Sequence, residues 1–277
     1  MTQIGFDETD GYGLSNKLWK GMTPPNSPGL TASLGGNPVI GFSDHFLSFG
    51  TTSLYAGDLI LVDATCTVAQ ITSEANHPGI IRAAIVGDTS EDEAVYQKGA
   101  ALDVGPFMFA SKRLCFEASV RVSAITAAKA EWFVGMATGG AAGAGITDKL
   151  FAANGAVYAT NSFVGFQHLF AEAAPLDGMY QLSGQTKVDG AVNTDLDTIH
   201  TLEVDTWVKL GVQYEPMPKK LTWFVDGEAV ASIGATALDA AAFPDAVYMQ
   251  PTIGAKDEAG DLALNLDCDW WACAQEL

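Results

Sequence analysis

The feature that most constrains this chain is a succession of short apolar segments with a period of two, divided by turn residues, with almost no helical periodicity among them. Leu114-Cys115-Phe116-Glu117-Ala118-Ser119-Val120-Arg121-Val122 sets the type. Successive side chains of a strand point to opposite faces. Phe116, Ala118, Val120 and Val122 therefore share one face and Glu117, Ser119 and Arg121 the other, as in a half-buried strand. Residues 80–86, 101–108 and 131–137 have the same β character. Segments 154–165 and 167–170 are predicted as two strands with a hairpin between them. Segments 207–214 and 220–231 follow, and the second is broken by Asp226-Gly227, a pair suited to a tight hairpin whose turn needs φ > 0. In the final segment, 262–271, Leu262, Leu264 and Leu266 face one way. Only 235–243 reads as helix, over one or two turns. Strands at this spacing without long amphipathic helices predict an all-β, antiparallel sandwich rather than an α/β fold.

Residues 1–40 differ from the rest. They carry seven glycines and four prolines, among them Pro24, Pro25, Pro28 and Pro38, which suit neither a helix nor a central strand. The stretch also holds Phe6, Tyr12, Leu18, Trp19 and Met22, which a solvated linker would not need. An extended N-terminal arm that docks its aromatics on a surface, its own domain's or a neighbour's, accounts for both facts. The predicted organisation is an arm over 1–40 and one sandwich domain over 41–277.

Composition limits the function classes. With 33 acidic against 14 basic residues, the net charge of -19 opposes nucleic-acid phosphates, and the basic pairs Lys112-Arg113 and Lys219-Lys220 are isolated. No run of about 18 apolar residues suits a membrane-spanning helix, and the first residues lack the basic start and apolar stretch of a secretory signal. Synthesis in a cytoplasm, with no nucleic-acid or membrane partner, is the expectation. Cys66, Cys115, Cys268 and Cys273 form no C-x-x-C pair and are expected to be buried, reduced thiols.

Chemistry-bearing patterns are weak. The glycine-rich run 139–145 lacks the Lys-Ser/Thr ending of a phosphate-binding loop. Glu91-Asp92-Glu93 reads as a solvated turn. Asp195, Asp197 and the 257–261 segment could offer oxygens to calcium but do not match the spacing of a calcium loop. His45, His77, His168 and His200 are scattered and read as structural. No catalytic residue, metal ligand or cofactor is assigned. Trp270-Trp271 is the best pointer to a contact surface, because adjacent strand residues face opposite ways, and Trp271 is assigned to it.

The segments 116–122, 132–137, 207–212, 221–227 and 267–271 together resemble concanavalin A-like (laminin-G-like) jelly rolls, in particular those of tailed-phage structural proteins. The resemblance covers about residues 41–277. It implies a jelly-roll β-sandwich. Relatives that hydrolyse glycans carry E-x-D-x-x-E or E-x-D-x-E on one strand, a pattern missing here: Glu117 is followed by Ser119 and Arg121, and Glu131 by Phe133 and Gly135. The function expected is a non-enzymatic phage virion protein, a capsid decoration (cement) protein on the capsid surface. Its partners would be the major capsid protein and copies of itself, as a homotrimer by analogy. Phe6, Tyr12, Leu18, Trp19, Met22 and Trp271 would make the contacts. A carbohydrate-binding module of a tail fibre or spike is the alternative.

Overall fold

The computed structural model describes residues 15, 17–19, 32–34, 37–44, 59–62, 66–71, 74–75, 77, 79–86, 92–98, 107–125, 130–138, 161–168, 175–185, 188, 194–257, 260 and 262–276. Among the described residues, sixteen strands form two antiparallel sheets packed face to face, with one short helix beside them. The nine-stranded sheet runs β1 (Ala32–Leu34), β2 (Asn37–Asp44), β16 (Leu264–Glu276), β7 (Leu114–Val122), β12 (Val208–Pro216), β13 (Lys219–Val225) and β14 (Glu228–Gly234). β4 (Thr67–Ile71) and β5 (Ile80–Ile85) join it through the first half of β16. The seven-stranded sheet runs β11 (His200–Thr201), β10 (Pro175–Gln181), β9 (Phe163–His168), β8 (Ala130–Ala137), β15 (Gln250–Asp257), β6 (Asp92–Gln97) and β3 (Leu59–Val62).

The period-2 pattern does what the sequence predicts on its apolar face. Phe116, Ala118, Val120 and Val122 enter the core opposite Trp132, Val134 and Met136 of β8 and Ile253 and Ala255 of β15. Asp226-Gly227 makes the β13–β14 hairpin with φ of 49° and 81°, and α1 (Ala235–Leu238) is the one helical turn. All four cysteines are buried, reduced thiols.

Two large side chains tie the sheets together. Trp271 of β16 stacks on Tyr96 of β6 with ring centroids 5.0 Å apart. Trp223 of β13 crosses the core, and its indole N–H donates to the Gly165 carbonyl of β9 at 2.8 Å. Gly165 lies opposite Gly135 in the ladder, and a Cβ on Gly135 would stand 2.5 Å from the Val164 carbonyl oxygen. The glycine pair thus leaves the space that the Phe133 ring occupies over both strands.

The structure corrects several expectations. No hairpin separates 154–165 from 167–170: β9 runs through Gly165, Phe166 and Gln167 without a break, because Gly165 serves a close cross-strand approach rather than a turn. Glu91-Asp92-Glu93 is not a solvated turn in its described part, since Asp92 and Glu93 begin β6 and are buried. Part of 1–40 does suit a central strand, because β2 pairs with β1 on one side and β16 on the other. The last strand continues to Glu276, five residues past its predicted end. Most of 101–108, the run 139–145 and His45 lie outside the described residues.

Trp271 is also corrected. Pairing of β16 with β7 slips between Cys268 and Trp270. Leu264, Leu266 and Cys268 face the core before this bulge, and Trp271 and Cys273 after it. Trp271 is therefore a core residue with no exposed surface, and Trp270 on the opposite face is buried as well. Neither offers a partner surface. Trp271→Ala is expected to destabilise the protein by about 3–5 kcal/mol. Trp223→Phe, which removes the buried hydrogen bond to the Gly165 carbonyl, is expected to cost about 0.5–1.5 kcal/mol. Urea denaturation of the two variants checks both values.

Candidate functional site

The polar face of β7 meets the N-terminal arm rather than water. Glu117, Cys115 and Ser119 project outward from the nine-stranded sheet, beside Gly211 and Gln213 of β12, Phe224 of β13 and Ala272 and Ala274 of β16. Residues 15–19 close one turn, with the Trp19 N–H donating to the Ser15 carbonyl at 2.9 Å, and this turn sits on that face. Leu18 and Trp19 are buried against Cys115, Phe224, Ala272 and Ala274. A Cβ on Gly211 would lie 2.1 Å from a Leu18 methyl, and one on Gly227 3.0 Å from the Ser15 hydroxyl oxygen. The two glycines form the recess that the segment fills. Burying the Leu and Trp side chains is worth on the order of 2–3 kcal/mol each.

Beneath the segment lies the Glu117 carboxylate, only 1% exposed. The Ser15 N–H donates to it at 3.0 Å, the Trp19 indole N–H at 2.8 Å, and the Ser15 hydroxyl donates to its other oxygen. The Gln213 side-chain N–H donates to the Leu18 carbonyl, and the Cys115 thiol approaches the same oxygen at 3.5 Å. Burial pushes the Glu117 carboxyl above its ordinary range, and the hydrogen bonds from Ser15 and Trp19, with the charge of Lys209, offset part of that rise. Burial likewise lifts the Cys115 thiol to about 12, so it is inert as a nucleophile at neutral pH. At the margin, Lys17 pairs with Glu228, both largely exposed, and contributes little to stability.

A second polar group lies further along the same face. Asp267 accepts from Arg82 at 2.6 and 2.8 Å and from Arg121 at 2.7 Å, and Arg121 also grips Glu74 at 2.8 and 2.9 Å. The Arg121 guanidinium lies 4.7 Å over Trp207, whose other contact is a stacked His77 at 4.2 Å. Trp207 is thus half-buried at the mouth of β12 rather than in the core. His77 in turn meets Asp269 at 2.9 Å. These groups satisfy one another and form a structural clasp.

On the outer faces of β6, β8, β9 and β15, polar side chains lie buried beside Phe133 and Phe163. Lys256 stands in register with Glu93 on one side and Glu131 on the other. Gln97 donates to the Thr252 hydroxyl at 2.8 Å, and Gln167 and Asp177 occupy opposed positions on β9 and β10. All of these side chains are buried. Elsewhere, a 620 Å³ open groove runs along β13 and β14, lined by Thr194, Asp195, Asp197, Thr198, Lys220, Thr222 and Ser232 among others. The Asp257 carboxylate accepts the Leu262 N–H at 3.0 Å, and no group of three or more metal-ligating side chains occurs among the described residues.

No family model matches this chain, and no curated protein matches it in sequence. Solved structures do. A protein of unknown function from Shewanella oneidensis MR-1 superposes with a TM-score of 0.54 at 16% identity, over 90% of each chain. Basic winged bean lectin with Tn-antigen gives 0.51 at 11% identity, over 86% of this chain and 98% of that one. A Bacteroides ovatus GH16 domain in complex with its G4G4G3G product gives 0.51 at 9% identity, over 83% and 98%. The chain folds as a concanavalin A-like jelly roll. Lectins and glycosidases share this jelly roll, so the fold by itself does not separate a binder from an enzyme.

The six contact residues assigned from sequence therefore part company. Leu18 and Trp19 are brought together, but on their own jelly roll, where they are sequestered from any further partner. Trp271 belongs to the core. Phe6, Tyr12 and Met22 lie outside the described residues. Sequence reasoning missed Glu117, Gln213 and Gly211. The available signal was the polar face of β7 itself, together with a glycine in the middle of β12.

Two outcomes follow from this geometry. A folded-state pKa raised above the ordinary value favours the folded chain at low pH, and that contribution is lost as pH rises through the raised value. Glu117→Gln does not titrate, so its stability relative to wild type should improve as pH rises above the ordinary carboxylate range and level off once the raised value is passed; paired urea midpoints across a pH series test it. Gly211→Ala should drive Leu18 from its recess at a cost of about 1–3 kcal/mol, seen as faster hydrogen exchange at the Trp19 indole.

Proposed function

We propose that this chain is a non-catalytic virion protein of a tailed phage, acting as a capsid decoration protein that binds the major capsid protein. The observation that carries the reading is the anchoring of the arm. Ser15, Leu18 and Trp19 are held on the jelly roll by burial and by hydrogen bonds to Glu117 and Gln213. Phe6 and Tyr12 precede them in the sequence, and aromatic side chains are the usual anchors of a protein–protein contact. The acidic surface agrees with a role away from nucleic acid. The absence of paired acids at i, i+2 and i+4 on β7 and β8 agrees with a binder.

A second reading, a carbohydrate-binding module, draws on the lectins that share the fold and on the groove beside β14, whose hydroxyls and carboxylates could bond sugar hydroxyls. Among the described residues, its lining includes no aromatic ring for a sugar to stack on. The described polar side chains on the outer faces of β6, β8, β9 and β15 are buried. The capsid reading therefore ranks first.

Co-sedimentation with phage heads that lack the protein is the test. The full chain should bind saturably, and removal of residues 1–14, which leaves the anchor intact, should weaken binding about tenfold or more, a loss of at least about 1.4 kcal/mol. Absence of binding by the full chain would overturn the capsid reading, and retention on a glycan array, lost in Lys220→Ala, would establish the second.

A further inference from the structure

We infer that His168 is an acid-operated latch: its neutral imidazole ties the end of β9 to the start of β10, and protonation releases that edge of the seven-stranded sheet. The inference concerns how the fold responds to acid and holds whatever the body binds.

Three observations carry it. First, the imidazole is fixed in one tautomer. Its Nδ1 lies 2.9 Å from the Pro175 carbonyl oxygen. A carbonyl can only accept, so Nδ1 carries the proton and donates it. Nε2 therefore holds the lone pair and is the atom that an added proton must join. It has no hydrogen-bond partner, and His168 has no exposed surface.

Second, nothing beside the ring is suited to a cation. His168 shares its face of β9 with the core residues Val164 and Phe166, and its ring stacks on Trp132 of β8 at 6.1 Å. The Trp132 indole N–H is itself a donor without a partner, so it cannot receive another. Among the described residues, the charged groups of the neighbouring strands are directed elsewhere. Glu131 of β8 and Asp177 of β10 stand on the outer face, in step with Gln167. Asp257 of β15 accepts the Leu262 N–H. On the facing sheet, β12 turns Val208 and Leu210 inward, and Glu203 and Asp205 before it are exposed. His200 of β11 shares the face of His168 but stands beyond Leu176, and it can only oppose a second positive charge. Burial lowers the His168 pKa, and the bond to Pro175 offsets part of that fall.

Third, release at this place can stay local. β10 and β11 are the last two strands at their edge of the sheet. β11 pairs only with Pro175 and Leu176, and the Ile199 N–H joins the Leu176 carbonyl at 2.9 Å. β9 is held independently, by its ladder with β8 and by the Trp223 bond to the Gly165 carbonyl. Sheet edges of this kind open at a lower free energy than the whole fold. A lowered pKa in the closed form means that the open edge takes up the proton more readily. The latch is therefore shut above the ordinary histidine range and loosens as pH falls through it toward the lowered value.

NMR and hydrogen exchange on the full-length protein, from about pH 7.5 to about pH 5, test the latch across the histidine range. The 15N shifts of His168 should report the Nδ1–H tautomer at neutral pH. Protection of the Ile199 and Gly178 amides, corrected for intrinsic exchange, should fall between about threefold and about thirtyfold over that interval, while β7 and β12 amides keep theirs. In His168→Asn, whose side-chain amide places an N–H near the position of Nδ1 but takes up no proton, the fall should disappear. An Nε2–H tautomer, titration of His168 at its ordinary value, or an equal fall in His168→Asn overturns the inference. The first two readouts use the wild-type protein alone and decide the matter even if the variant does not fold.

Discussion

Two apolar sheet faces that cannot be left in water organise everything else in this protein. The inner residues of β7, β12 and β16 are buried only because β8, β15 and β6 lie across from them. Trp271 on Tyr96 and Trp223 on the Gly165 carbonyl fix where the two layers meet. The bulge in β16 is part of the same constraint. It turns Trp271 inward, so the strand can carry large apolar residues along its inner face while its outer face changes parity.

Once the layers are set, the polar outer faces become the informative ones. In an isolated sandwich they would be hydrated. Here the outer face of β7 is sealed by the arm, and that of β8 and β15 holds a Glu–Lys–Glu row and several amides away from solvent. A desolvated charge must be met by donors or by an opposite charge. Glu117 is met by Ser15 and Trp19, Asp267 by two arginines, and Lys256 stands between two glutamates. The arm is thus part of the folded unit through a carboxylate that would otherwise remain solvated.

The jelly roll is shared by lectins and hydrolases, and low identity to both leaves function to particular residues. The features particular to this chain are the arm residues Ser15, Leu18 and Trp19 held on β7 and its neighbours, and an open groove along β13 and β14 lined by hydroxyls and carboxylates.

The sequence by itself determined the sandwich, because side-chain alternation is a local property: Phe116 to Val122, Leu264 to Leu266 and the Asp226-Gly227 turn can all be read without knowing what they pack against. It also marked Leu18 and Trp19 as residues in need of a surface, and the four cysteines as buried thiols. Only the tertiary structure decided which surface. The seat of Leu18 and Trp19 is assembled from β7, the β12–β13 hairpin and β16, which are far apart in sequence. The buried character of Asp92 and Glu93 depends on their place in β6, with Lys256 across the ladder from Glu93. The inward turn of Trp271 depends on a one-residue slip against β7. Pairing register and burial are non-local quantities, and a chain read along its length carries the period of its strands but not the identity of their neighbours.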